Sequence, residues 1–396
     1  MNDIFVRKLN RGLHTLVVLL VFVSSSAVAQ SITPAAPQLA AEGYLLIDAD
    51  SGHVIVEHNS QQRLPPASLT KIMTSYIVSA ELARGTVSLD EEVLISVKAW
   101  RTGGSRMFIR EGTKVTVEDL KRGIIVSSGN DASVAMAERI AGSEDAFADL
   151  MNQHAARLGM NDTNFMNSTG LPDDNHYTTA ADLARLTTAL IKDFPEDYEI
   201  YSEKYFVYND IRQPNRNLLL WRDQSVDGVK TGHTEAAGYC LVASAERDGM
   251  RLVSVVMGAS SEESRAVESQ KLLTYGFRYF ETVRLYEEKD ALKSVRVWGG
   301  ESGSVSLGVS SDVVLTVPRG SVSGLSATMD IQKVIEAPLA EGAELGSLKI
   351  TNGDQLVREI PLVSSQAIEA GGFFKRFWDS LSLFFVKLFS GDTLAI

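Results

Sequence analysis

Three short motifs stand in order along the chain: Ser68-Leu69-Thr70-Lys71, Ser128-Gly129-Asn130 and Lys230-Thr231-Gly232. The first places a hydroxyl and an amine three residues apart, which on a helix means one turn apart on the same face. An ammonium cannot accept a proton. A lysine desolvated near other cations has a lowered pKa, and its neutral amine can take the proton of a serine. The second motif offers another hydroxyl and a side-chain amide. The third reads as an edge strand carrying a cation, a hydroxyl and then a glycine without Cβ, so that a peptide backbone can lie against it. Together they describe acyl transfer through an acyl-serine intermediate, with lysine where a protease triad uses histidine.

Singly these motifs decide little, because Ser-x-x-Lys is expected by chance about once in a chain of this length. Each also has a plain reading as a helix N-cap or a turn. Their order and setting carry the argument. Pro65-Pro66-Ala67 ends an extended stretch, and Ser68 opens the apolar pattern Leu69, Ile72, Met73, Tyr76, Ile77 of a buried helix. Ser128 follows the run Gly123-Ile124-Ile125-Val126, and a further helix begins at Asp131. Lys230 opens a segment that returns as Tyr239–Ala243 and Leu252–Met257, two buried strands.

The ends of the chain have characters of their own. Arg7, Lys8 and Arg11 precede an apolar stretch from Leu16 to Val23, and Ala27-Val28-Ala29 places small residues before Gln30. This is the pattern of a secretory signal peptide over 1–29. The stretch is well short of the roughly 20 residues a membrane span needs. Near the other end, Gly371 to Ser390 holds seven aromatics: Phe373, Phe374, Phe377, Trp378, Phe384, Phe385 and Phe389. Arg376, Asp379 and Lys387 share one stripe, and no uncharged run exceeds seven residues. Such a helix is expected to lie in a membrane interface rather than to span it.

Composition excludes other classes. The net charge of −12 becomes −14 when the leader's three basic and one acidic residue are removed, and no basic patch lies outside the termini. Nucleic acid is not an expected partner. The single cysteine, Cys240, sits in an apolar strand and reads as a buried thiol. The six histidines show no metal-ligand spacing, and no phosphate loop is present. Ile47–Gly52 is acidic, but its glycine comes one place too early for a calcium loop and no glutamate closes it, so a hairpin turn is expected. No cofactor is expected.

The pattern divides the chain. Residues 30–280 mix helices and strands, a normal size for one domain. Helices are expected around Ser68–Arg84, Val117–Gly123, Asp131–Ile140, Glu144–Leu158, Thr179–Lys192 and Glu262–Phe280. Across 281–368, short alternating runs such as Val313–Val317 are separated by Gly, Ser and Pro turns, as in a small β-sandwich. Residues 369–396 hold the amphipathic helix.

The three motifs, extended to Ser128-Gly129-Asn130-Asp131 and Lys230-Thr231-Gly232-His233-Thr234, resemble those of the low-molecular-mass penicillin-binding proteins of the D-alanyl-D-alanine carboxypeptidase type. Tyr44–Gly52, Gly104–Phe108 and Asn167–Pro172 resemble further segments of that family, and the likeness is closest to its membrane-anchored, two-domain type-5/type-6 members. The resemblance implies an α+β fold of the serine penicillin-recognising kind, shared with β-lactamases and transpeptidases. Helices would surround an antiparallel sheet, followed by an all-β domain and the terminal helix.

The resemblance also implies roles. Ser68 would be the nucleophile and Lys71 its base. Ser128 would relay a proton to the departing D-alanine nitrogen, with Lys230 holding positive potential. Asn130 would bond the substrate backbone, and Gly232 would let it approach. The N–H groups of Ser68 and His233 would form the oxyanion hole. Thr231 and Arg265 would hold the substrate's terminal carboxylate, with Arg216 as a further contributor. The expected partners are peptidoglycan stem peptides, β-lactams as inhibitors and the inner-membrane lipid surface. The expected location is the periplasmic face of the cytoplasmic membrane. A class A β-lactamase shares the motifs but uses a glutamate after the second one, and Asn161–Thr169 contains none. A DD-endopeptidase cutting crosslinks differs only in its leaving group. A non-catalytic wall-binding or cell-shape protein would not need an intact Ser68 and Lys71.

Overall fold

The computed structural model describes residues 33–288 and 290–389, with the side chains of 387–389 left out. The expected signal peptide lies outside the described residues. The first part of the chain is built on a five-stranded antiparallel sheet of β1 (Gly43–Asp48), β2 (Val54–His58), β3 (Val226–Thr234), β4 (Gly238–Arg247) and β5 (Met250–Ala259), in the order β2-β1-β5-β4-β3. Both faces are covered. Cys240, Val242, Val253, Val255 and Met257 point into one apolar core, while Leu241, Ala243, Leu252 and Val256 point into the other. That is why these strands read as near-continuous apolar runs.

The helix Glu262–Tyr279 covers one face. The other is covered by an all-helical layer containing Lys71–Ala83, Val117–Ile125, Asn130–Ala141, Glu144–Arg157 and Ala180–Asp193. The helix Lys71–Ala83 is buried from Lys71 through Glu81, so it forms the centre of this layer. Thr116, Ser143, Thr179 and Ser261 each accept the backbone N–H three residues on, which fixes where four helices start.

One expectation changes in detail. Lys230 stands in the middle of β3 rather than at its start, because pairing with β4 already begins at Val226. Arg265 lies in the first turn of the helix Glu262–Tyr279, inside the helix expected over Glu262–Phe280. Cys240 is a fully buried free thiol, and Asp48–Gly52 is a tight turn with Gly52 at φ +73°.

From Phe280 onward the chain is mainly strands. Phe280–Tyr286 pairs with Val313–Pro318, and a five-stranded sheet runs from Lys293–Arg296 to Leu325–Ile331 at its edges. These strands enclose their own core, with Leu307, Leu348, Ile350 and Leu362 fully buried. The junction with the first part is polar: buried Asp48 on β1 accepts hydrogen bonds from the hydroxyls of Thr282 and Thr316.

The helix Phe373–Phe389 then packs back on this sheet region. Asp379 accepts from the Gly299 N–H at 2.9 Å, and Lys375 donates to the carbonyl oxygens of Gly300 and Glu301. Its aromatic face stays outside, with Phe373 and Phe374 each 77% exposed and Trp378 62% exposed. Among the described residues no helix is long and apolar enough to cross a membrane.

Candidate active site

The site forms where the buried helix, the turn before Asn130–Ala141 and the free edge of β3 meet. Ser68 lies in a 3₁₀ turn, Ala67–Thr70, that runs directly into Lys71–Ala83. Two residues here hold left-handed backbone: Ala67 at φ +47° and Ser128 at φ +57°. For residues with a Cβ this costs roughly 1–2 kcal/mol each. Packing compensates for it.

Lys71 is the centre of the arrangement. Its Nζ lies 3.2 Å from Ser68 Oγ, 2.6 Å from Asn130 Oδ1 and 2.5 Å from the Thr169 carbonyl oxygen. The side chain is only 1% exposed. Burial, and then the Arg216 guanidinium, lower its pKa to about 7. A neutral amine has two N–H bonds and one lone pair. Asn130 Oδ1 and the Thr169 carbonyl can only accept, so they take the two N–H bonds and leave the lone pair for the Ser68 hydroxyl.

The second pair sits beside the first. Lys230 Nζ donates to Ser128 Oγ at 3.0 Å, and burial, followed by Lys71, Arg216 and Arg265, holds its pKa well below the ordinary lysine value. Gly232 brings β3 against the nucleophile: a Cβ on it would stand 3.0 Å from the Pro66 carbonyl oxygen and 3.2 Å from Ser68 N. Among the described residues β3 pairs only with β4, so its other edge is open to a peptide.

The candidate cations divide. Arg216 is exposed at the mouth and donates to Ser105 Oγ at 2.7 Å. Arg265 is 3% exposed, donates to the Gly232 carbonyl oxygen at 3.1 Å and sits over the Tyr239 ring. Thr231 is buried in β3, and His233 is exposed and stacked on Tyr239 at 4.0 Å.

Several supporting contacts cannot be read from the motifs, even where the motifs contain the residues that make them. Asn130 Nδ2 donates to the Gly103 carbonyl oxygen, and a Cβ on Gly104 would stand 2.5 Å from that nitrogen. Buried Asp131 accepts from the backbone N–H groups of Met107, Phe108 and Ile109, so it fixes the loop over the site. His176 Nε2 and Thr70 Oγ1 lie 3.0 Å apart and tie the 160–179 loop to the turn before Lys71. Burial holds the His176 pKa down to about 4, so its ring is neutral. Among the described residues no group of His, Cys, Asp and Glu could hold a metal ion.

Residues 30–261 match the profile of the D-alanyl-D-alanine carboxypeptidase family, and 280–370 match that of the penicillin-binding protein 5 C-terminal domain. The chain belongs to the D-alanyl-D-alanine carboxypeptidase family. It is 42% identical over 387 residues to the D-alanyl-D-alanine carboxypeptidase DacC of Escherichia coli (strain K12), covering 96% of this chain and 97% of the relative. Its fold superposes with a TM-score of 0.82 on penicillin-binding protein 5 from Haemophilus influenzae, at 43% identity over 85% of this chain and 99% of the other. Penicillin-binding protein D2 from Listeria monocytogenes, in an ampicillin-bound form, covers 62% of this chain and 100% of its own, with 31% identity and a TM-score of 0.57. As a member of this family the chain is a serine-type peptidase with D-Ala-D-Ala carboxypeptidase activity.

Proposed function

We propose that the enzyme trims the terminal D-alanine from peptidoglycan pentapeptide stems through an acyl-Ser68 intermediate. The contact that carries this reading is Lys71 Nζ to Ser68 Oγ at 3.2 Å, with the amine's other partners fixed. Lys71 takes the Ser68 proton as Oγ bonds to the penultimate residue's carbonyl carbon. The N–H groups of Ser68 and His233 hold the oxyanion. Collapse breaks the peptide bond, and the proton taken by Lys71 passes through the hydroxyl of Ser128, hydrogen-bonded to Lys230, to the leaving nitrogen, which leaves Lys71 neutral again. Water then attacks the ester as neutral Lys71 accepts its proton, and Lys71 returns that proton to Ser68 Oγ as the acyl–oxygen bond breaks and the shortened stem leaves as a carboxylic acid.

Arg216 and Thr231 receive the substrate's terminal carboxylate, a reading supported by the exposed guanidinium of Arg216 at the mouth of the site. Arg265, buried and bonded to the Gly232 carbonyl, acts on that carboxylate from behind the strand through its charge. β-Lactams acylate Ser68 by the same route, a reading supported by the ampicillin-bound relative. The enzyme is exported and works at the outer face of the cytoplasmic membrane, held there by the helix Phe373–Phe389. The exposed aromatics and the adjacent Lys375 and Arg376 support that attachment. Incubation with a muropeptide pentapeptide tests the activity: mass analysis should show loss of one alanine. Release of a crosslinked partner with no loss of alanine would favour an endopeptidase.

A further inference from the structure

Ser128 and Lys230 mark the side of Ser68 from which the leaving residue departs. The rest of the substrate must therefore extend the other way, along β3 from Gly232 to Thr234. A peptide on the free edge of β3 runs antiparallel to it, advancing about 3.3 Å per residue. The residue just before the D-alanyl-D-alanine pair then arrives at Thr234.

A cavity of about 380 Å³ opens at that point, lined by Thr234, by Ala67 just before the nucleophile and by Gly170 just after Lys71's partner Thr169. Its charged lining residues are Arg63, Asp173 and Asp174. Arg63 is already matched, since it pairs with Asp162 at 2.8 Å and stacks over the Tyr177 ring. Asp173 and Asp174 are exposed and enter no salt bridge among the described residues. The cavity therefore presents an excess of two negative charges. His176 also lines it, is 4% exposed, and its Nδ1 has no hydrogen-bond partner among the described residues.

We infer that this cavity is a specificity subsite for the stem residue preceding the D-alanyl-D-alanine pair, and that it selects a side chain ending in a free primary amine. The inference rests on the assignment of Ser68 as the attacked residue. The ammonium pairs with Asp173 and Asp174, and its alkyl stem packs on Leu171 at the wall. A side chain whose amine has been acylated, as in a crosslink, loses that charge and carries extra bulk. The subsite thus directs the enzyme to uncrosslinked stems and favours carboxypeptidase over endopeptidase action.

The test uses the full chain and two tripeptides, Nα-acetyl-L-Lys-D-Ala-D-Ala with the ε-amine free and the same peptide Nε-acetylated, with D-alanine release as the readout. At low salt kcat/KM should be about fivefold higher for the free amine. The preference should shrink in 1 M NaCl and fall to about one in D173N/D174N. Each ratio is measured within one protein sample, so partial unfolding of the variant does not imitate the result. Equal kcat/KM for the two peptides would overturn the subsite. So would a preference that persists in D173N/D174N, which would trace it to the net charge of the whole chain. Hydrolysis of neither peptide, with Ser68 unreactive to penicillin, would instead overturn the assignment of Ser68 and this inference with it.

Discussion

The amide oxygen of Asn130 accepts a hydrogen bond from Lys71 Nζ at 2.6 Å, so a group expected to grip substrate also orients the base. Asn130→Ala should therefore slow acylation as well as weaken peptide binding. Losing one hydrogen bond to a charged or proton-transferring group costs about 1.5–3 kcal/mol, or roughly 10- to 100-fold in kcat/KM. Stopped-flow penicillin acylation separates the two effects, since a pure binding role would leave the limiting acylation rate unchanged.

Gly104 is the sharper structural probe. Its φ of +83° is left-handed, and a Cβ there would stand 2.5 Å from Asn130 Nδ2. Gly104→Ala should push Asn130 off Lys71 and reduce acylation at least as strongly as Asn130→Ala. Thermal unfolding should move by only a few degrees, because the loop is at the surface of the site. A wild-type acylation rate in this variant would show that the loop yields instead of the amide.

Arg216→Ala should lower kcat/KM on a D-Ala-D-Ala peptide by about 2 kcal/mol while affecting a carboxylate-free ester much less. Equal losses on both substrates would assign Arg216 to the general field around Lys71 and Lys230. Arg265→Ala should lower both, because its guanidinium supports the Gly232 carbonyl, and should lower the peptide more, because its charge also acts on the carboxylate from behind the strand.

The motifs announced the chemistry because each side chain that reacts is a residue type with few other reasons to occur in that order. The sequence could not place what holds those side chains. Thr169 acts through its backbone carbonyl, which every residue has, so the likeness of Asn167–Pro172 marked its segment but not its role. The bond between Thr70 and His176 joins positions 106 apart in the chain, and no local pattern reports a contact of that kind. The helix holding Arg265 was expected, but a resemblance gives position and not direction; its first-turn setting turns the side chain under the strand, onto the Gly232 carbonyl. The helices were legible from apolar spacing and caps, whereas short pieces such as Val97–Arg101 and Leu219–Arg222 are too brief to show a period.

The terminal helix gives a prediction about attachment. Truncation should begin at Phe373, since Ile368 belongs to the core of the sheet region and Gly371 N–H bonds the Gly299 carbonyl. Removing 373–396 should release the enzyme from vesicles containing anionic lipid and leave its activity on small peptides unchanged. Persistent sedimentation with vesicles would place the attachment elsewhere, and collapse of activity would make the helix part of the folded body.

The pH dependence of Ser68 acylation tests most directly whether neutral Lys71 is the base. A lysine held at about 7 is protonated below that value and neutral above it, so the acylation rate constant should rise with pH. Penicillin acylation followed by intact-protein mass should show a single limb with its midpoint near pH 7, absent in Ser68→Ala and Lys71→Ala. In Arg216→Ala the midpoint should move upward, because removing that cation relieves one cause of the lowered pKa. A rate constant flat from pH 5 to 9, or a midpoint unmoved by loss of Arg216, would contradict neutral Lys71 as the base.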